Sequence, residues 1–261
     1  MEIRQAEAIY IMKKVLAFLL ICALIPAFAL AEATPAEPEK KTVSGVLVDA
    51  AMHTILMEDW NGEQVYFYKE GDEDLDGLSD GLYIGKIIEC EYVDAEDGTR
   101  LTAVRDGKMP AERERQETVE GEAETVRETW YQSPLGFGLY LDAQAYTVTE
   151  DEEAQSAVIE PLDGLEGAAL YVFRAATEDA DALQTTQRAL FEGTNVYGEG
   201  VLCEYGAYTY LIAFTCPEEA AEGWGTRLQT MMDGVMLINE QGGVYWPETS
   251  MERWKSRTQG E

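Results

Sequence analysis

The stretch from residue 208 to 237 constrains the fold more than any other, because it demands cover on every side. Tyr208, Tyr210, Ile212 and Phe214 alternate with Leu211 and Ala213, so both faces of the predicted strand are apolar, as in a strand enclosed between layers. Thr215, Cys216, Pro217 and Glu218 follow with the spacing of a capping box, in which a hydroxyl and a carboxylate satisfy the orphan amides of a first helical turn. Ala220, Ala221, Trp224, Leu228, Met231, Met232 and Val235 then fall on one stripe at a period of about 3.6. A strand of this kind feeding an amphipathic helix requires a sheet for the helix to cover.

At the other end, Lys13 and Lys14 precede an apolar run over residues 15–25, followed by Pro26 and the small-residue pattern Ala29, Leu30, Ala31. This is the layout of a secretory signal peptide over residues 1–31, too short for a stable membrane span. Met12 fits a start better than Met1, because the basic region should come first. Cys22 raises a lipid anchor, but the bulky Ile21 stands where such a signal needs a small residue. The expectation is a secreted or extracytoplasmic chain with no stable membrane insertion after cleavage.

The chain carries 50 acidic and 19 basic residues, a formal charge of −31. Removing residues 1–31 takes three basic and two acidic residues away and leaves the charge near −32. Such a surface repels phosphates and anionic lipid, which excludes nucleic acid and favours a cationic or cell-envelope protein partner. His53 is the single histidine, so most imidazole-dependent chemistry is also excluded. Its setting, after Asp49, Ala50, Ala51 and Met52 and before Thr54, reads as a turn where a positive φ is tolerated.

Cys90, Cys203 and Cys216 remain after cleavage, an odd number for a secreted protein. A tight turn over residues 204–207 would set Cys203 opposite Tyr208 and leave Cys216 about 26 Å further on, beyond disulfide reach. Three unpaired structural thiols are expected. Cys216, at a predicted helix start, is the one whose pKa could be lowered.

Residues 32–42 form a flexible tether of Ala, Pro, Glu and Lys. Strand signals then run over residues 43–49, 54–60, 63–69, 87–93 and 99–104, with hairpin dipeptides at Asn61-Gly62 and Asp97-Gly98. Five strands over residues 43–108 have the scale of a small closed barrel. Gly45, Leu47, Asp49, Ala50, Met52 and Thr54 give this segment an opening that resembles the small β-barrel modules of secreted bacterial proteins.

Residues 109–128 read as a charged linker, with Pro110 and few apolar positions. Beyond it come strand signals at 137–141, 146–149, 157–159 and 168–175. Thr177 is a candidate cap for a helix over 178–192 that turns Ala180, Leu183, Leu190 and Phe191 inward and stops at Gly193. The entry Pro134-Leu135-Gly136-Phe137 and the end Met231-Met232-Asp233-Gly234-Val235 make residues 129–238 resemble the α/β/α sandwich of the PsbP and Mog1 superfamily. That resemblance implies an α+β fold, an antiparallel sheet with packed helices after the barrel, and an adaptor role without catalysis. It transfers no functional residue.

The loop between two barrel strands places Asp72, Asp74 and Asp76 at alternating positions before Gly77, with Asp80 as a fourth carboxylate. The pattern resembles the loops of extracellular calcium modules, except that Tyr83 stands where an EF-hand has its bidentate Glu. No cofactor is expected, and calcium is the one ion the sequence leaves open. No nucleophile elbow or phosphate loop is present. Residues 239–261 add Tyr245, Trp246, Arg253, Trp254, Lys255 and Arg257, a basic aromatic tail that can dock on the acidic body or bind an anionic wall polymer. The reading is a secreted, non-catalytic binding or adaptor protein of the bacterial cell exterior. The alternative is a cell-wall-associated hydrolase using Asp/Glu chemistry.

Overall fold

A computed structural model describes residues 38–96, 98–119, 122–162, 165–193 and 195–258. The signal segment and most of the tether lie outside the described residues. Lys40–Glu261 form one compact unit.

Six strands build the first sheet: β1 (Lys40–Ala50), β2 (Thr54–Asp59), β3 (Gln64–Tyr68), β4 (Asp74–Gly77), β5 (Ile87–Ala95) and β6 (Gly98–Asp106). The tether's last residues therefore belong to β1. The sheet order is β3-β2-β1-β5-β6-β4, and a further parallel bridge from Tyr68 of β3 to Arg100 of β6 closes it. The result is a five-stranded, partly open Greek-key barrel of the OB type, with β4 appended outside. Alternation decides which side chains fill it. Leu47, Ile55, Met57, Phe67, Ile88, Cys90, Leu101 and Val104 point inward and are buried, while Tyr66 and Tyr68 point out. At Asn61-Gly62 the hairpin turns on Gly62 in the left-handed region, φ 82°.

The rest of the chain continues through β7 (Glu112–Val119), β8 (Glu122–Ser133), β9 (Phe137–Leu141), β10 (Tyr146–Asp151), β11 (Ser156–Pro161), β12 (Ala169–Ala176), α1 (Ala180–Phe191), β13 (Val196–Tyr205), β14 (Tyr208–Pro217), α2 (Thr226–Asp233), β15 (Met236–Ile238), β16 (Val244–Tyr245) and α3 (Glu248–Thr258). Two antiparallel sheets result, ordered β10-β11-β12-β14-β13 and β16-β15-β9-β8-β7. Between them Phe137, Leu139 and Leu141 of β9 meet Leu170, Val172, Tyr210, Ile212 and Phe214, with Leu228 and Met232 of α2 joining the same core. The other face of β14 presents Leu211 and Ala213 to Leu183 of α1. Interior strand β14 is thus covered on both sides, as its two apolar faces require.

The expected α+β sandwich of PsbP/Mog1 type does not hold. Strands dominate the described residues in three sheets, and the three α-helices span 12, 8 and 11 residues. The long helix expected after Thr215 breaks into a 3₁₀ turn (Glu218–Ala220), a π segment (Ala221–Gly225) and the eight residues of α2. Glycines explain the break. Gly225 lies so close to Tyr197 and Cys216 that an added Cβ would sit 2.9 Å from the Tyr197 ring, and glycine in a helix interior is costly in entropy. Neither predicted cap forms. Thr215 Oγ1 instead donates to Gly167 O at 3.1 Å, and a 3₁₀ turn starting at Thr177 has no side-chain cap. Trp224 lies on the π segment, half-buried, with its ring edge-on to Tyr146.

Residues 109–128, read as a linker, are largely β7 and the first half of β8, paired from Glu112↔Thr129 to Val119↔Glu122. The C-terminal residues also fold down. Met236, Ile238, Val244, Trp246 and Met251 pack on Val46 and Ile87 of the barrel, joining barrel and body along one seam.

Candidate binding cleft

The seam carries a polar network built around Lys86, whose side chain is fully buried. Lys86 O accepts from Leu47 N at 2.8 Å, and Trp246 N donates to Gly85 O at 2.8 Å, so this short loop is clamped from both halves. The ammonium donates to Asp80 and lies 2.8 Å from Asp106 Oδ1, an ion pair by distance without hydrogen-bond alignment. Asp80 also accepts from Tyr83 (2.7 Å), Asn239 (2.9 Å) and Tyr205 (3.2 Å). Burial alone would raise the Asp80 carboxyl, but the bonds from Lys86, Tyr83 and Asn239 outweigh it and hold it below the usual carboxylate range. Burial and the bonds to Tyr205 and Asp80 push the Tyr83 phenol well up. These groups are matched to one another, which makes the network a structural joint.

The cleft lies beside that seam. Arg113 and Arg115 stand two residues apart on β7 and so share a face, and Arg113 sits directly opposite Glu128 of β8. Arg113 Nε donates to Glu128 Oε2 at 2.6 Å, while Arg115 Nε and Nη2 donate to Oε1, each at 3.2 Å. One nearly buried carboxylate thus holds two guanidiniums. The Arg113 guanidinium lies 4.1 Å over the Tyr140 ring and 5.7 Å from that of Trp254, a stack available to the planar, weakly hydrated arginine and not to lysine. Tyr140 donates to Pro110 O at 2.8 Å, and burial, opposed by Arg113, pushes its phenol up to about 12.

On one side of this stack a hollow of about 160 Å³ is lined by Arg113, Arg115, Arg227, Thr230 and Tyr146, with Asp142 and Glu128 as its carboxylates. On the other, a space of about 240 Å³ opens between the barrel turn at Trp60 and Asn61 and Trp246, Trp254 and Lys255 of the C-terminal residues. The first hollow holds three guanidiniums against two carboxylates, while the second adds Lys255 with Glu58, Asp59 and Glu114. The surface suits a planar or ring-shaped ligand that bears an anionic group. A wider hollow of about 510 Å³ by Ser133, Tyr208 and Asn239 is less suited. Its one cation, Arg174, bonds Gln155 and Leu135 O and stacks on Tyr208.

The calcium residues are not brought together. Asp74 and Asp76 lie exposed on β4, Asp74 accepts from Asp76 N at 3.0 Å, and Asp80 faces Lys86 instead. Asp72 is exposed on the loop before β4. Among the described residues no group of three or more His, Cys, Asp or Glu side chains is arranged to hold a metal ion. His53 occupies an exposed bend and is not among the positive-φ residues, which are Gln155 and Asn195 besides glycines. The three thiols are unpaired. Burial raises all of them, Cys90 to about 12 and Cys203 to about 11, and Cys216 goes up too, contrary to the helix-start expectation. The observed register pairs Cys203 with Tyr210 and Tyr197 with Cys216. That is two residues away from the expected alignment, because the turn is only Gly206-Ala207.

The tail residues are legible in the structure as well. Arg253 reaches the buried Asp233 at 2.8 Å, and Lys255 donates to Glu58 of β2 at 2.8 Å. No helix among the described residues is long and apolar enough to cross a membrane. No family model and no curated protein matches this sequence. Among solved structures, apo-CusF residues 6–88 from Escherichia coli is similar at 12% identity, over 29% of this chain and 96% of that chain, with a TM-score of 0.24. A likeness of that size carries nothing about function.

Proposed function

We propose that this chain is an extracytoplasmic, non-catalytic binding or adaptor protein whose ligand seat is the cleft around Arg113, Arg115, Tyr140 and Trp254. The observation that carries the reading is the stacked Arg113, held by a carboxylate it shares with Arg115 in an otherwise acidic molecule. The apolar run over residues 15–25 supports export. The fold alone argues for no function, and the raised thiols and the exposed, isolated His53 offer no activated nucleophile.

The ligand class is a ring bearing a carboxylate, such as the uronic acids and muropeptides of a cell wall. Calorimetry with galacturonate and soluble muropeptides is expected to give saturable heat. Galactose, lacking the carboxylate, and the Arg115→Gln variant should each bind about tenfold more weakly, the value of one charge-assisted bond. No saturable heat with either acid would remove the cleft as the seat. Turnover of peptidoglycan that a single Asp or Glu substitution abolishes would replace this reading with a hydrolase.

A further inference from the structure

We propose that the free edge of β13 docks an extended, lysine- or arginine-bearing segment of a partner protein, which joins the sheet as an added strand. β13 is last in its sheet, and among the described residues no strand pairs with its outer side. Its ten residues pair with β14 from Val196↔Pro217 to Tyr205↔Tyr208 without a shift in register, whereas β1–β2 and β5–β6 each carry a bulge. Glu218 N donates to Asn195 O at 3.0 Å. This marks the odd-numbered positions as the ones bonded to β14, since hydrogen-bonded and non-bonded pairs alternate along an antiparallel ladder.

The N–H and C=O groups of Val196, Gly198, Gly200, Leu202 and Glu204 therefore point outward. Gly200 bears this out, because its carbonyl accepts from Gln187 Nε2 of α1 at 2.9 Å. Proteins blunt a long edge with proline, lysine or a bulge. Val196–Tyr205 has none of these, and one glutamine covers one carbonyl. Val196, Tyr197 and Leu202 are moreover 42%, 39% and 39% exposed, apolar side chains left in water along an unpaired edge.

Charge selects the occupant. The strand carries Glu199 and Glu204 and no basic residue; Glu199 already accepts from Gln229 at 2.7 Å and lies 3.8 Å from Arg253, so the exposed Glu204 is the carboxylate that selects. A second copy would bring the same carboxylates and another −31, so self-pairing is opposed. Leu202 and Glu204 lie on one face, so an extended segment with a basic residue opposite Glu204 and an apolar residue two positions away, opposite Leu202, would match the outward amides and both side chains. This surface is separate from the cleft, so its test is independent of the ligand there.

The probe is a blocked peptide of about eight residues in which Lys and Val alternate at every second position with Thr between them, a length that spans the edge, and a Glu–Val peptide of the same pattern is the control. Anisotropy titration is expected to saturate with the Lys–Val peptide and to be at least about tenfold weaker with the control. Amide exchange should slow at Val196, Gly198, Leu202 and Glu204. Leu202→Pro removes one outward donor while leaving the β14 ladder intact, a placement an edge strand tolerates, and should weaken binding by about tenfold. If that variant loses its near-ultraviolet dichroism, the exposed Glu204→Lys serves in its place, with weaker binding expected. No saturation, equal binding of the Glu–Val peptide, protection mapped elsewhere, unchanged binding by Glu204→Lys, or concentration-dependent protection without peptide would each overturn the proposal.

Discussion

Lys86→Met is expected to destabilise the chain by about 3–5 kcal/mol, the cost of breaking a buried ion pair from one side. The reason is geometric. The ammonium is fully buried between Asp80 and Asp106, whose side chains are 30% and 20% exposed. Methionine fills the volume but leaves two carboxylates facing each other with their counter-charge gone. In thermal unfolding this should lower Tm by roughly 6–20 °C for a chain of this size. The pH dependence has a definite sign. Asp80's folded pKa is depressed, so its contribution is present above the unfolded value of about 3.9 and is lost as pH falls through the folded value. In Lys86→Met the lowering by the ammonium is lost while the bonds from Tyr83 and Asn239 remain, so the carboxyl is depressed less and less stability is lost on protonation. The gap between parent and variant should therefore be full at neutral pH and shrink below about pH 4. A variant as stable as the parent at pH 7 would show that Lys86 is not buried in this network.

Gly85→Ala is expected to cost about 2–6 kcal/mol, from two sources. Gly85 has φ 86°, a conformation that costs an L-residue about 1–3 kcal/mol. An added Cβ would also lie 2.2 Å from the backbone carbonyl of Trp246, and relieving such overpacking costs about 1–3 kcal/mol. The clash falls on Trp246, just past β16, the residue whose N–H donates to Gly85 O. Relief requires the C-terminal residues to lift from the barrel. Tryptophan fluorescence, reporting Trp246 and Trp254, should shift to the red alongside the stability loss. Gly81→Ala is the control, since φ there is 88° but nothing lies within 4 Å. It should show the smaller, purely conformational cost, and equal losses in both variants would deny the contact.

The parts of the fold that the sequence makes legible are those where one periodicity is undisturbed. In β14 the two-faced apolar alternation from Tyr208 to Phe214 appears as a strand covered by α1 on one side and by the core on the other. At Asn61-Gly62 local chemistry alone sets the hairpin. Where side chains compete with the pattern, the reading fails. Gly225 breaks the helix stripe that Trp224, Leu228 and Met232 suggest, because the backbone there must approach Tyr197. β7 was invisible to an apolar period because its alternation is one of charge: Arg113 and Arg115 lie on one face, Glu112 and Glu114 on the other. A period of two in charge, followed by Glu128 to pair with, was the available signal for the cleft. Lys86 between Ile84-Gly85 and Ile87-Ile88 was the signal for the seam, since a lysine inside an apolar run must bring a partner. Asp80, assigned to a calcium loop by spacing, is that partner. Spacing along the chain cannot tell a carboxylate that waits for a cation from one already bonded to a buried ammonium.

The seam makes barrel and body one cooperative unit, and the cleft between the turn at Trp60 and the stack of Arg113 on Trp254 exists only while they are joined. Differential scanning calorimetry of the purified chain tests this most directly. One transition is predicted, with calorimetric and van't Hoff enthalpies equal, and Lys86→Met should move that whole transition to lower temperature. Two resolved transitions, only one of them shifted by Lys86→Met, would contradict the account.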